Sequence, residues 1–117
     1  MGGELFVPKI PSYKITDLAK AISPKAKIKI IGIRPGEKIH EEMITESDSL
    51  NTIEFKDHYV VLPNSIYLKW NRKQFLKHKQ NHRSKPCEIG FSYNSKMNKD
   101  FLSVKDLREL IKLNVKL

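Results

Sequence analysis

Glu4-Leu5-Phe6-Val7 forms a short apolar run closed by Pro8 and Pro11, a pattern that predicts a strand feeding a constrained loop. From Ile15 the period changes. Leu18, Ala19 and Ile22 recur at helical spacing behind Thr16, a capping residue, and Asp17, a first-turn acid, and Pro24 stops the run. Between Ala26 and Ile33, lysine alternates with isoleucine before Ile30-Ile31, which predicts a strand with one face well buried, ending at Gly32-Ile33-Arg34-Pro35-Gly36. A short helix is expected from Glu37, with Ile39 and Met43 on one side and Glu37, Lys38, Glu41 and Glu42 on the others. The polar stretch Thr45 to Asn51 leads into Thr52–Phe55 and His58–Leu62, which flank Lys56-Asp57 as a hairpin. Near the end, Ser103-x-x-Asp106 resembles a capping box in front of the stripe Val104, Leu107, Leu110 and Ile111. Together these elements describe a small α/β piece without internal repeats.

At 117 residues the chain has room for one domain, taken here as a single region over 1–117. With 39% hydrophobic and 30% charged residues it supports a modest core and departs from the profile of a disordered chain. Lysine or glutamate interrupts every apolar run, so no membrane-spanning helix is expected. The opening Met1-Gly2-Gly3-Glu4-Leu5-Phe6 has neither a basic nor an apolar leader region, and no targeting segment is expected. Cys87 has no second cysteine to pair with, which excludes a disulfide within the chain and fits a cytoplasmic address.

Charge adds more than composition does. The net charge is +9, and it is segregated. Ile66 to Lys85 carries seven basic residues, Lys69, Arg72, Lys73, Lys77, Lys79, Arg83 and Lys85, and no acid, whereas Glu37 to Asp57 carries seven acids. Tyr67, Trp70 and Phe75 lie within the basic stretch, so single-stranded nucleic acid is one candidate partner. The alternative is a solvated basic surface whose aromatics enter the core. His78-x-x-x-His82 has helical metal-ligand spacing, but no acid lies near it in sequence and Cys87 follows at no recognised ligand distance. For Cys87 itself a buried thiol is the expectation.

The most informative stretch is Ile30-Ile31-Gly32-Ile33-Arg34-Pro35-Gly36-Glu37-Lys38, a strand-to-helix junction of the kind that binds ligands in α/β folds. Arg34 would offer a guanidinium suited to two phosphate oxygens, and Glu37 could accept hydrogen bonds from sugar hydroxyls. The competing reading is a simple Pro-Gly turn, with Arg34 solvated and Glu37 favouring a helix start. Glycine occurs only at positions 2, 3, 32, 36 and 90, so no Gly-x-Gly-x-x-Gly fingerprint exists, and no tyrosine is followed by lysine four residues on.

Gly2-Gly3-Glu4-Leu5-Phe6-Val7-Pro8-Lys9-Ile10-Pro11, Ile15-Thr16-Asp17-Leu18-Ala19-Lys20 and Arg34-Pro35-Gly36-Glu37-Lys38-Ile39-His40-Glu41 carry a further signal. With Phe91-Ser92-Tyr93-Asn94-Ser95 and Phe101-Leu102-Ser103, they resemble the inverting UDP-N-acetylglucosamine 4,6-dehydratases. These are extended short-chain dehydrogenase/reductases of surface polysaccharide and flagellin-glycan biosynthesis, related to CapD-type proteins sometimes labelled UDP-glucose 4-epimerases. The resemblance covers nearly the whole chain and is poorest over the basic segment 66–85. It implies the C-terminal, substrate-binding part of such an enzyme, without the Rossmann domain that holds NADP and the catalytic tyrosine and lysine, and hence no catalysis by this chain alone. It implies further that Arg34 grips the diphosphate of a UDP-sugar and that Glu37 contacts the nucleotide sugar. The partners it implies are a UDP-sugar and the missing domain, with a homo-oligomer left open and nucleic acid disfavoured.

Overall fold

A computed structural model describes residues 2–64, 72–77 and 83–116. Among them lie six strands, three α-helices and one 3-10 turn, a mixed α and β architecture. The chain divides into two compact units, Met1–Lys9 with Glu42–Asn94, and Ile10–Glu41 with Ser95–Leu117.

The first unit is built on an antiparallel sheet. Strand β1, Leu5–Pro8, pairs with β4, His58–Val61, which pairs with β3, Thr52–Glu54, and β3 pairs in turn with β5, Lys85–Pro86. In register, Phe6 faces Val60 and Val7 faces Tyr59, while Ile53 faces Val60 on the other side. Because side chains alternate across a pleated strand, β4 feeds two cores at once, Tyr59 entering one and Val60 the other. Ile53, Val60 and Leu62 gather on one face with Phe75 of α2, Arg72–Lys77. Val7 and Tyr59 gather on the other with Ile44 and Cys87. Burial on both faces accounts for the near-continuous apolar run Tyr59-Val60-Val61-Leu62.

The sequence expectation of a hairpin holds: Phe55 N–H donates to the carbonyl of His58 at 2.9 Å and closes the turn. Its interior polar atoms are satisfied. Thr52, fully buried, donates its hydroxyl to the carbonyl of Asp48 at 2.7 Å, and buried Ser49 donates to Glu46 and accepts from Gly90 N–H at 3.0 Å. Asp48 and Ser49 belong to a 3-10 turn, Asp48–Asn51, that leads into β3. A smaller ladder joins β2, Glu42–Ile44, to β6, Tyr93–Asn94.

The second unit pairs α1, Ile15–Ile22, with α3, Val104–Asn114. At α3 the capping box forms as expected: Asp106 N–H donates to the Ser103 hydroxyl at 3.1 Å, and the Asp106 carboxylate accepts from Ser103 N–H at 2.9 Å. Those hydrogen bonds from Ser103 hold the Asp106 carboxyl below its ordinary pKa. Helix α1 starts two residues earlier than expected, with Lys14 at the N-cap, so Thr16 lies inside the helix and does not cap it. Ser12 and Phe101 form a parallel bridge, flanked by hydrogen bonds from Ser12 N–H to Asp100 and from Leu102 N–H to Ser12, each 2.8 Å.

Two expected elements are not formed. Ala26–Ile33 is not a strand, and no helix begins at Glu37. Alternation of lysine and isoleucine shows that the segment can present one apolar face. A strand also needs a neighbour for its N–H and C=O groups, and no strand among the described residues pairs with it. Its isoleucines accordingly face solvent, with Ile30 86% and Ile31 76% exposed. Beyond it, Pro35-Gly36 closes a turn and the chain runs on without helix to β2.

Candidate functional site

Arg34 and Glu37 come together at the ends of one β-turn. Proline at its second position presets φ, and Gly36 takes φ +85° at its third, where a Cβ would be strained. Glu37 N–H donates to the carbonyl of Arg34 at 3.1 Å and closes the turn. The Glu37 carboxylate then folds back: Oε2 accepts from Arg34 N–H at 3.0 Å, and Oε1 accepts from Arg34 Nε at 2.7 Å. Both side chains stay open to solvent, Arg34 at 76% and Glu37 at 43%. Among the described residues the two Nη groups of Arg34 have no hydrogen-bond partner, which leaves a planar pair of donors facing outward. The turn can therefore take an anion carrying two adjacent oxygens. Without a helix at Glu37, no helix N-terminus adds its field.

Downstream the loop is anchored at a residue that local spacing could not reveal. Ser95 Oγ lies 3.1 Å from His40 Nδ1 and accepts from Glu41 N–H at 3.1 Å, while Ser95 N–H donates to the carbonyl of Glu41 at 2.9 Å. His40 and Ser95 stand 55 residues apart, so no motif window spans them.

The other candidates fall elsewhere. Phe75 is a core residue, 8% exposed, and its ring meets Phe55 edge-on at 6.2 Å, so it offers no open face to a base. Lys73 and Lys77 are exposed on α2, whereas Tyr67, Trp70, Lys69, Lys79, His78 and His82 lie outside the described residues. No group of three or more histidines, cysteines or carboxylates that could hold a metal occurs among the described residues. Cys87 is buried, as expected. No helix among the described residues is long and apolar enough to cross a membrane.

The most perturbed groups belong to the sheet of the first unit. Burial, followed by the nearby Glu54 carboxylate, Cys87 and Tyr93, pushes the Tyr59 hydroxyl up to about 12. Burial would also raise Glu54, but Lys9 at 2.9 Å and Lys85 at 3.5 Å outweigh it and hold the carboxyl below its ordinary value. Lys9 reaches over the Tyr59 ring, 5.0 Å from its centre. Glu54 thus has a structural ion-pair role, and sequence spacing gave no sign of it.

Residues 1–63 match the family described as polysaccharide biosynthesis protein. Over 110 residues the chain is 46% identical to the UDP-N-acetylglucosamine 4,6-dehydratase (inverting) of Campylobacter jejuni, a match covering 94% of this chain and 33% of that protein. A UDP-glucose 4-epimerase of Rickettsia canadensis is 38% identical over 61 residues, 49% of this chain and 18% of that one. The fold is similar to the X-ray structure of Pen from Bacillus thuringiensis, with a TM-score of 0.65 and 29% identity over 96% of this chain and 32% of that one. The chain spans about a third of the length of the dehydratases it matches.

Proposed function

Because the chain belongs to the polysaccharide biosynthesis protein family, we propose that it is the UDP-sugar-binding, C-terminal part of an inverting UDP-N-acetylglucosamine 4,6-dehydratase, an extended short-chain dehydrogenase/reductase. The identity of 46% over nearly the whole chain carries this reading. In it, Arg34 places its Nη groups on the diphosphate of the sugar nucleotide, and the Arg-Pro-Gly-Glu turn holds that side chain at the surface where a ligand can reach it. A UDP-glucose 4-epimerase parent is the second reading, supported by the shorter match over 61 residues. Both would use the same diphosphate contact.

NADP supplies hydride transfer in this family reading. The residues here do not fit that group: the sequence holds no Gly-x-Gly-x-x-Gly turn and no tyrosine with lysine four residues on. No step is therefore assigned to this chain beyond binding and orienting the substrate.

Titrating UDP-N-acetylglucosamine to millimolar concentration into the isotopically labelled chain tests the assignment. Shifts are expected at Ile33 to Lys38, and Arg34→Ala should abolish them. Unmoved resonances in the unmutated chain would overturn the binding role. Product formed from UDP-N-acetylglucosamine and NADP by the chain alone would overturn the restriction to binding.

A further inference from the structure

We propose that Ser95 is a positioning residue, whose hydroxyl holds in place the loop that carries Arg34 and Glu37. The ligand-binding role of that loop rests on the UDP-sugar reading above; the tether itself does not.

From Lys27 to Glu41 the chain has no helix or strand of its own. Within this stretch the hydrogen bonds between Glu37 and Arg34 shape the turn without fastening it to anything else. Among the described residues, every hydrogen bond that ties the stretch to the rest of the chain ends on Ser95. Its Oγ meets His40 Nδ1 and accepts from Glu41 N–H, each at 3.1 Å, and its N–H donates to the Glu41 carbonyl at 2.9 Å. A hydroxyl suits this place, because its two lone pairs and one rotatable hydrogen let it accept from Glu41 N–H and still bond the imidazole.

Apolar packing does not replace the tether. Ile30, Ile31, Ile33 and Ile39 are each at least 60% exposed, so burial does little to hold the loop. His40 follows Glu37 by three positions, and a hold at His40 and Glu41 therefore limits how far the turn can swing. A binding turn restrained before its ligand arrives has less freedom to lose on binding.

Variants of the full 117-residue chain test this. In the free protein, amide hydrogen exchange at Glu41 should quicken about fivefold in Ser95→Ala while the amides of α3 keep their rates, and Ser95→Thr should restore the slow rate. Amide nitrogen relaxation should show Arg34 to Glu37 gaining motion in Ser95→Ala and not in Ser95→Thr. Unchanged exchange and relaxation, or acceleration spread evenly over α3, would overturn the tether. UDP should bind Ser95→Ala about threefold more weakly than it binds the unmutated chain or Ser95→Thr. Ser92→Ala, which removes a hydroxyl that reaches Glu42 and not the loop, should leave the affinity unchanged. Full affinity in Ser95→Ala, or an equal loss in Ser92→Ala, would overturn the positioning role. His40→Ala removes one contact of the same hydroxyl and decides the matter if Ser95→Ala does not fold: a weakening of about twofold is expected, and unchanged affinity overturns the proposal. Failure of UDP to bind the unmutated chain would defeat the proposed function, and exchange with relaxation would still decide the tether.

Discussion

The two units bury their apolar residues to different extents. In the unit of Met1–Lys9 and Glu42–Asn94, Val7, Ile44, Ile53, Tyr59, Val60, Leu62, Phe75 and Cys87 are buried on the two faces of one sheet. In the unit of Ile10–Glu41 and Ser95–Leu117, only Ala21 and Leu107 reach that level among the described residues, while Ile15, Ile22, Ile30, Ile31, Ile33, Ile39 and Leu113 are more than half exposed. The candidate anion-binding turn lies in the second. Scaffold and candidate site thus fall in different units: one is organised by its own core, the other by the packing of α1 on α3 together with a helix cap, turns and side-chain clasps. Apolar content alone would not have distinguished them, because exposure depends on whether a face has found a neighbour.

Truncating a residue that serves the first unit's core should have the largest effect. Ile53→Ala removes a fully buried side chain from the centre of the sheet and should lower unfolding stability by about 3 kcal/mol, measured by urea denaturation. Acidification should separate the units next. The folded carboxyl of Glu54 sits below its ordinary value of 4.5, so its ion pairs contribute stability that is fully present above that pH. The contribution is lost as pH falls through the lower folded value. It should amount to about 1 kcal/mol and shrink in Lys9→Met, which leaves Lys85 as the remaining partner, as followed by the tyrosine signal of the first unit. The smallest effect belongs to the isoleucine run: Ile31→Ser, at a side chain 76% exposed, should change stability by less than about 0.5 kcal/mol in the same urea titration. A loss comparable with that of Ile53→Ala would erase the contrast between the units.

Elements written in local signals were legible. Pro8 marked the end of β1, Lys56-Asp57 marked the hairpin, and Ser103 with Asp106 marked the start of α3, because each signal acts within a few residues of itself. The segment Ala26–Ile33 has the pattern of a strand and does not form one for a physical reason: alternation reports the face a strand would bury, and the partner that makes it a strand is encoded elsewhere. The same holds for Ile39 and Met43, whose spacing of four suggested a helix, although Met43 lies in β2 beside the buried Ile44. At the candidate site, both Arg34 and Glu37 were legible as residues, and their juxtaposition followed from Pro35-Gly36. Their mutual hydrogen bonds do not follow from spacing, because the pattern predicts a helix at Glu37 and only a turn forms there. Ser95 was invisible because its role depends on a contact across 55 residues.

The buried hydroxyl of Ser49 acts as a safeguard against misassembly. Apolar side chains on β3 tolerate many neighbours, so greasy packing alone discriminates weakly between adjacent alignments of a strand. A slip by one position against β5 would carry the Ser49 hydroxyl off the Gly90 N–H and swing Glu54 toward the face lined by Phe75. One small polar atom thereby turns a permissive sandwich of hydrocarbon into a lock with one correct setting.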